Sequence, residues 1–284
     1  MNADRLRQSY DHCRTVARTQ ARNFYYSFLL LSKPQREAMC AIYAFMRYCD
    51  DLSDGPETAN QEVVDRWRSE LDDALERGVF GPNPCWPAFV DAVRRYRIPH
   101  RYFHEMIDGV TSDLQPRRID SFDQLYQYCY QVASVVGLTI THVFGFDDPR
   151  ALVLAEKCGI AFQLTNIIRD VREDEELGRS YLPREDRERF PDLRDLLAFE
   201  AGRAKRFYAE SAPLVEMVHR ESRASLWALI EIYRRLLDKI EATGFDVMRG
   251  RIRLTAAEKT KIVLRAMILG PKPAALEAAA TTKG

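Results

Sequence analysis

The sequence predicts an all-α fold in one domain, and three observations predict it. Apolar residues recur at helical spacing in four runs too long for ordinary strands: REAMCAIYAFMRYCDD (36–51), DQLYQYCYQVASVVGLTITHVF (123–144), ALVLAEKCGIAFQLTNIIRDVRED (151–174) and SLWALIEIYRRLLDKIEATG (225–244). Alternating runs closed by Asn-Gly or Asp-Gly turns are essentially missing, which argues against a sheet. The breaks, GPET (55–58), GPNP (81–84), FDDPR (146–150) and LPRED (182–186), are short; none is a long linker, and no repeat of fixed period appears. With 284 residues, 46% of them hydrophobic, the chain can bury a large core. The helical domain is expected over 1–270, and PKPAALEAAATTKG (271–284) is expected to be a disordered, Ala-rich tail.

Taken in order, the first stretch, MNADRLRQSYDHCRTVARTQ, has no apolar segment of the kind a secretory signal carries. FYYSFLLL (24–31) is too short to span a bilayer. The 36–51 run ends in an acidic cluster, CDDLSD (49–54). PHRYFHEMIDGV (99–110) places His100 and His104 one turn apart with Asp108 a turn further on. That spacing could ligate Zn²⁺, but no H-E-x-x-H or cysteine partner accompanies it, and a structural helix face is expected. The 151–174 run looks as though it should be buried, yet it ends in the polar series NIIRDVRED (166–174).

Lys plus Arg (42) equal Asp plus Glu (42), so nothing draws the whole molecule to nucleic acid or anionic lipid, and any charge specialisation is local. The six cysteines form no C-x-x-C pair and several lie in apolar helical runs, which reads as a reduced, cytosolic protein without disulfides. Cys49 has no His or Asn spaced to make a catalytic dyad and is expected in the core. There is no G-x-G-x-x-G and no Walker A motif.

On a helical wheel Gln163, Asn166, Asp170 and Asp174 fall within roughly 80° of one another, while Leu164, Ile168 and Val171 point elsewhere. Carboxylates four residues apart repel on a helix, and burial raises that cost. A divalent cation removes it, and Mg²⁺ is commonly held by one or two carboxylates plus substrate phosphates. A second such pair, Asp50 and Asp54, ends the 36–51 run, with Tyr43 and Arg47 on the same face and Asp51 adjacent. D-x-x-x-D occurs only at these two places. A single copy reads as a solvated acidic helix end; two copies, each preceded on its face by polar side chains, favour a paired metal and diphosphate site. Arg22, Arg47, Arg169, Arg179 and Arg184 could fork onto phosphate oxygens there.

These residues resemble the squalene/phytoene synthase family, the head-to-head prenyl synthases. The likeness is carried by ARNFYYSFLLLSKPQREAMCAIYAFMRYCDDLSD (21–54), YCYQVASVVG (128–137), QLTNIIRDVREDEELGRSYLPRE (163–185) and, more weakly, IEATGFDVMRGRIRLTAAEK (240–259), which matches the family's last core helices. It covers about 15–268. The resemblance implies an isoprenoid synthase helical bundle with a central cavity, and Mg²⁺-dependent condensation of two prenyl diphosphates through a cyclopropylcarbinyl diphosphate. Asp50, Asp54, Asn166, Asp170 and Asp174 would hold Mg²⁺; Arg22, Arg47, Arg169 and Gln163 would bind diphosphate. Tyr43, Tyr128 and Tyr181 would line the reaction zone with Asp51 in the first motif, and Phe24 and Phe28 the prenyl pocket. Phe245, where many members carry Tyr, and Cys40, where some carry a bulky aromatic, depart from the pattern.

Three readings stand. The leading one joins two C15 farnesyl diphosphates to presqualene diphosphate and onward to a squalene-type product, because MRYCDDLSD (46–54) looks closer to bacterial squalene-side members. The alternative joins two C20 geranylgeranyl diphosphates to phytoene. A reading of another class makes the chain a catalytically idle helical assembly partner, which would predict a lost aspartate; both pairs are intact. NADPH stays open, since reducing members bind it without a Rossmann fingerprint. Prenyl diphosphates are the expected partners, with no nucleic acid and only transient contact with a membrane surface.

Overall fold

The computed structural model describes residues 3–21, 24–54, 61–112 and 118–269, save the side chains of 53, 54 and 269. The expected tail at 271–284, Arg22 and the GPET break lie outside the described residues. Within them the chain is helical: α1 (Ala3–Gln20), α2 (Phe24–Phe28), α3 (Lys33–Asp54), α4 (Gln61–Asp72), α5 (Trp86–Arg95), α6 (Arg101–Thr111), α7 (Phe122–Cys129), α8 (Val135–Phe144), α9 (Arg150–Glu176), α10 (Arg184–Arg189), α11 (Leu193–Ser211), α12 (Leu214–Met217), α13 (Arg223–Ala242) and α14 (Ala256–Leu269). Among the described residues there is no strand, only isolated bridges at Arg118–Ser180 and Phe146–Val218.

The four expected runs all form helix, and local chemistry sets their limits. Ser121 starts α7 by accepting from the Gln124 amide (3.4 Å), and the Asp192 carboxylate starts α11 by accepting from the amides of Arg194 and Asp195. Gly178, with φ +70°, takes the left-handed turn just beyond α9 that leads into the 177–183 segment. One run is not uniform: between α7 and α8 residues Tyr130–Ser134 wind as a π-helix. Such bulges cluster at functional sites. The close approach of α9 makes room for nothing larger than hydrogen at Gly159, where an added Cβ would meet Ser134 Cα at 2.5 Å.

The 240–259 segment differs from the helical expectation. The helix stops at Ala242, Gly244 and Phe245 follow in left-handed conformation (φ 64° and 59°), and residues 243–255 form an irregular strap. Thr255 then opens α14 with a capping box: its hydroxyl accepts from the Glu258 amide (3.2 Å) while the Glu258 carboxylate accepts from the Thr255 amide (2.6 Å).

The buried side chains fall into two clusters. The first gathers α1, α3, α5, α6 and α8 around Phe45, whose ring lies 4.3 Å from Phe89 and 5.7 Å from Trp67. The second gathers α7, the C-terminal half of α9, α11, α13 and α14. Phe24 and Phe162 border both clusters, and a cavity runs along the junction. Helix α9 is long and apolar enough to cross a membrane by length and composition, but 56% of that window is buried, and it packs on α8, α11 and α13 as a core helix. All six cysteines are free and buried. Cys49 accepts from the Trp67 indole (3.2 Å), and burial pushes its thiol up, as a core residue requires.

Candidate active site

The cavity measures about 780 Å³. From α3 come Tyr43, Arg47 and Asp50; from α9 come Phe162, Gln163, Asn166 and Arg169; Phe24 of α2, Tyr128 of α7 and Arg179 also stand on the wall. Tyr43, Arg47 and Asp50 follow one another at one-turn spacing, as do Phe162, Asn166 and Arg169, so each helix presents a single stripe. Elsewhere the wall is apolar, with side chains such as Val136, Ile140, Leu226 and Leu229.

Aromatic rings join the two walls. Phe162 stacks on Tyr233 of α13 (4.2 Å between centroids, 10° between planes), Tyr233 meets Phe24 edge-on (5.9 Å), and Phe24 lies 6.4 Å from Tyr43. Burial, with the neighbouring Asp50 charge, pushes the Tyr43 phenol up to about 12, so it remains an O–H donor at neutral pH. Tyr181 is not on the wall; it stands behind Tyr128 with its ring stacked on it (4.7 Å, 16°).

The charge on the described wall is lopsided. Arg47, Arg169, Arg179, Arg251, Arg253 and Lys259 line it, against the single carboxylate of Asp50. Burial lowers the Arg251 pKa, and its neighbour Arg169 lowers it further while Asp170 opposes. Crowded, partly dehydrated cations of this kind favour a multiply charged anion. Asp170 lies just off the wall: Arg169 donates to it through Nε (2.7 Å) and Nη2 (2.5 Å), and Arg251 donates through Nη2 (2.8 Å). For Arg169, burial disfavours the charge but the Asp170 bonds outweigh it and raise the pKa.

The fit to Mg²⁺ rests on oxygen donors. Asn166 Oδ1 is buried on the wall with no hydrogen-bond partner, while its Nδ2 donates to Gln163 Oε1 (3.3 Å). An unpaired carbonyl oxygen one turn before Asp170, on the wall that also carries Asp50, suits a hard cation. Among the described residues no three acidic, His or Cys side chains converge.

Other residues singled out in the sequence stand off the wall or outside the described residues. Phe28 is buried in the first cluster against Tyr25 (6.4 Å) and does not line the cavity, although it stands one turn from Phe24 on the same face of α2. Arg184 is exposed and pairs with Asp120 (2.8 Å), away from the wall. Asp51 pairs with Arg47 one turn back along α3 and stays off the wall. Asp174 is half-buried one turn beyond Asp170, and its carbonyl accepts from the Arg179 amide (2.8 Å). The side chain of Asp54 lies outside the described residues. Phe245 borders the second cluster, and Cys40 is buried off the cavity. His104 pairs with Asp72 (3.2 Å) and Asp108 with Arg68 (2.7 Å), the structural face expected of that helix.

Sequence reasoning missed Tyr233, Arg251, Arg253, Lys259 and the π-helical Gln131, Val132 and Ala133, all on the wall. The alternation of basic and apolar residues in RGRIRL (249–254) was the available signal: Arg251, Ile252, Arg253 and Leu254 all line the cavity, and the two apolar ones also join the second cluster.

Comparison with known proteins agrees with this architecture. The squalene/phytoene synthase family model matches residues 17–258. A 15-cis-phytoene synthase of Synechococcus elongatus is 35% identical over 278 residues, covering 87% of this chain and 88% of that protein. A phytoene synthase of Mycobacterium tuberculosis is 36% identical over 281 residues, covering 92% and 91%. Among solved structures, a dehydrosqualene synthase in complex with ligand matches with a TM-score of 0.86 at 27% identity, covering 92% of this chain and 96% of that one. A squalene synthase from Alicyclobacillus acidocaldarius matches with a TM-score of 0.77 at 26% identity, covering 84% and 95%.

Proposed function

The chain belongs to the squalene/phytoene synthase family and is a prenyltransferase of that type, and from this premise we propose that it joins two C20 geranylgeranyl diphosphates head to head to give phytoene. The observation that carries the reading is the cavity of about 780 Å³ whose wall combines six cations with many apolar side chains. Such a wall offers apolar surface to a long hydrocarbon and cations to a diphosphate. Along α9 the wall extends from Arg169 to Ala155, about 21 Å at 1.5 Å per residue, which leaves room for a long prenyl chain. The choice of C20 rests on the relatives. The nine-residue run MRYCDDLSD favours the C15 reading, but likeness to proteins named phytoene synthase extends over about nine-tenths of the chain and outweighs it.

Under this reading Arg47, Arg169, Arg179 and Arg251 bind diphosphate oxygens as the allylic carbon–oxygen bond breaks. Asp50 and Asn166, with Asp54, Asp170 and Asp174, would hold Mg²⁺, which neutralises charge developing on the leaving diphosphate. Tyr43 donates its phenol at the rim; Tyr128, backed by Tyr181, faces the reacting chains and steadies positive charge with its ring. The apolar walls keep water from the cationic chain. The designation 15-cis of one relative places a double bond at the new junction, which arises by loss of a proton, so under this reading NADPH is not consumed. The idle-partner reading has no support in a site that retains its cations and acidic stripe.

A product assay tests the proposal. Purified protein with Mg²⁺ receives geranylgeranyl or farnesyl diphosphate separately, with and without NADPH, and products are identified by mass spectrometry. A C40 hydrocarbon from the C20 substrate, independent of NADPH, is expected. A C30 product from farnesyl diphosphate, with none from the longer chain, overturns the choice of substrate.

A further inference from the structure

We propose that Glu200 and Arg203 are positioning residues for the reaction: with Asp186 they form a buried anchor that holds the 177–183 segment, and through it Arg179 and Tyr181, against the cavity. The proposal rests on the site described above but not on which prenyl chain it takes.

The anchor lies outside the cavity and no part of the mechanism above uses it. Arg203 of α11 donates through Nη1 to Asp186 Oδ2 of α10 (2.8 Å) and to Glu200 Oε1 one turn back (2.8 Å). All three side chains are buried. The guanidinium also lies over the Phe122 ring at 3.9 Å and near that of Phe199 at 4.8 Å. Asp186 stands three residues after Pro183, and Phe122 begins the helix that carries Tyr128. Arg203 therefore touches the root of each partner in the Tyr128–Tyr181 stack. Two main-chain bonds and one to a side chain tie the same two roots: the Arg184 amide donates to Ile119 O (2.9 Å), the Glu185 amide to Asp120 O (3.1 Å), and the Phe122 amide to the Glu185 carboxylate Oε1 (2.7 Å).

Two carboxylates share one guanidinium here, so the charges do not balance when both are ionised. The titratable or charged groups facing Glu200 are Arg203 on its own helix, Asp186 on α10 and Cys129 on α7. Burial pushes the Glu200 carboxyl up to about 7; Arg203 pulls it down and Asp186 pushes it further up. As a carboxylate its Oε2 is buried without a partner, and once protonated it faces Asp186 as a donor. Protonated Glu200 leaves Arg203 to Asp186 and adds a bond. Ionised Glu200 competes for Arg203 and repels Asp186. The anchor thus tightens below about pH 7 and loosens above it.

Hydrogen exchange of the full chain, read by mass spectrometry on peptides covering 180–190, follows the anchor through the Arg184 and Glu185 amides, with α9 peptides as internal reference. This readout needs no substrate, so it stands or falls separately from the assignment of phytoene. In the wild type, the protection factor of the 180–190 peptide should fall several-fold as pH rises through about 7. Glu200→Gln should keep it high and flat, and the matching limb of the kcat/KM profile on the accepted prenyl diphosphate should vanish. Asp186→Asn should lower that protection at every pH while the α9 reference is unchanged. The same pH course in the wild type and Glu200→Gln, or wild-type protection in Asp186→Asn, overturns the proposal.

Discussion

Asp170 accepts hydrogen bonds from Arg169 and Arg251, so replacing it alters both the acidic stripe and the two cations that would meet diphosphate. Asp170→Ala should lower turnover by about 100-fold or more, the scale seen when a transition-state charge partner is removed. The far-UV circular dichroism should not change, because Asp170 is not a core residue; wild-type turnover in this variant would remove it from the site. Glu200 makes a second prediction at the same scale. Its folded-state value of about 7 lies above the ordinary 4.5, so the native state binds the proton more tightly than the unfolded state. Stability is therefore undiminished below the ordinary value, falls as pH rises through the interval, and is flat above about 7, by a few kcal/mol at most. Glu200→Gln should remove that decline, which urea unfolding at several pH values would measure. The acidic stripes were legible in sequence because carboxylates at i and i+4 on apolar helices are costly. The fate of Asp170 was not, because Arg251 approaches it from 81 residues away.

At the scale of elements, two helical glycines that look alike in sequence behave differently. Gly159 of α9 lies against the π-helical turn, where a methyl group would meet backbone atoms of Ser134 and Ala133 within 3 Å. Gly202 of α11 has nothing within 4 Å of such a methyl and an ordinary helical backbone. Gly159→Ala should cost about 1–3 kcal/mol and reduce turnover, since Gly159 lines the cavity. Gly202→Ala should stabilise by about 0.5–1 kcal/mol. Thermal unfolding of the two variants checks both signs. Four long helical runs were readable from periodicity, though not the π-helical turn that divides the second of them. The strap at 243–255 was not, although TAAE (255–258) carries the capping-box pattern that restarts the helix. Its path follows from the left-handed pair at 244–245, and Phe in that conformation is not a choice that local propensity favours.

For the whole molecule, a cation-rimmed cavity should couple ligand binding to stability. Inorganic diphosphate with Mg²⁺ should raise the melting temperature, by about 2.7 kcal/mol of stabilisation at a hundredfold excess over its dissociation constant. The shift should shrink with added salt, because salt screens the attraction between the wall cations and the anion. No shift at any diphosphate concentration would count against the rim as a diphosphate site. Net charge conceals this feature: 42 basic residues balance 42 acidic ones over the chain, while the described cavity wall has six cations and one carboxylate.

By itself the sequence determined the helical class, the two acidic stripes and the family, because each is written in the spacing of neighbours along one helix. Tertiary structure alone decided which of those residues share a cavity. It turned Phe28 into core and Arg184 outward, and it brought Tyr233, Arg251 and Lys259 to the wall from α13, the strap and α14. The reason is physical: helical periodicity states which face of a helix is polar or apolar, but which helix it meets is settled by how the two core clusters pack.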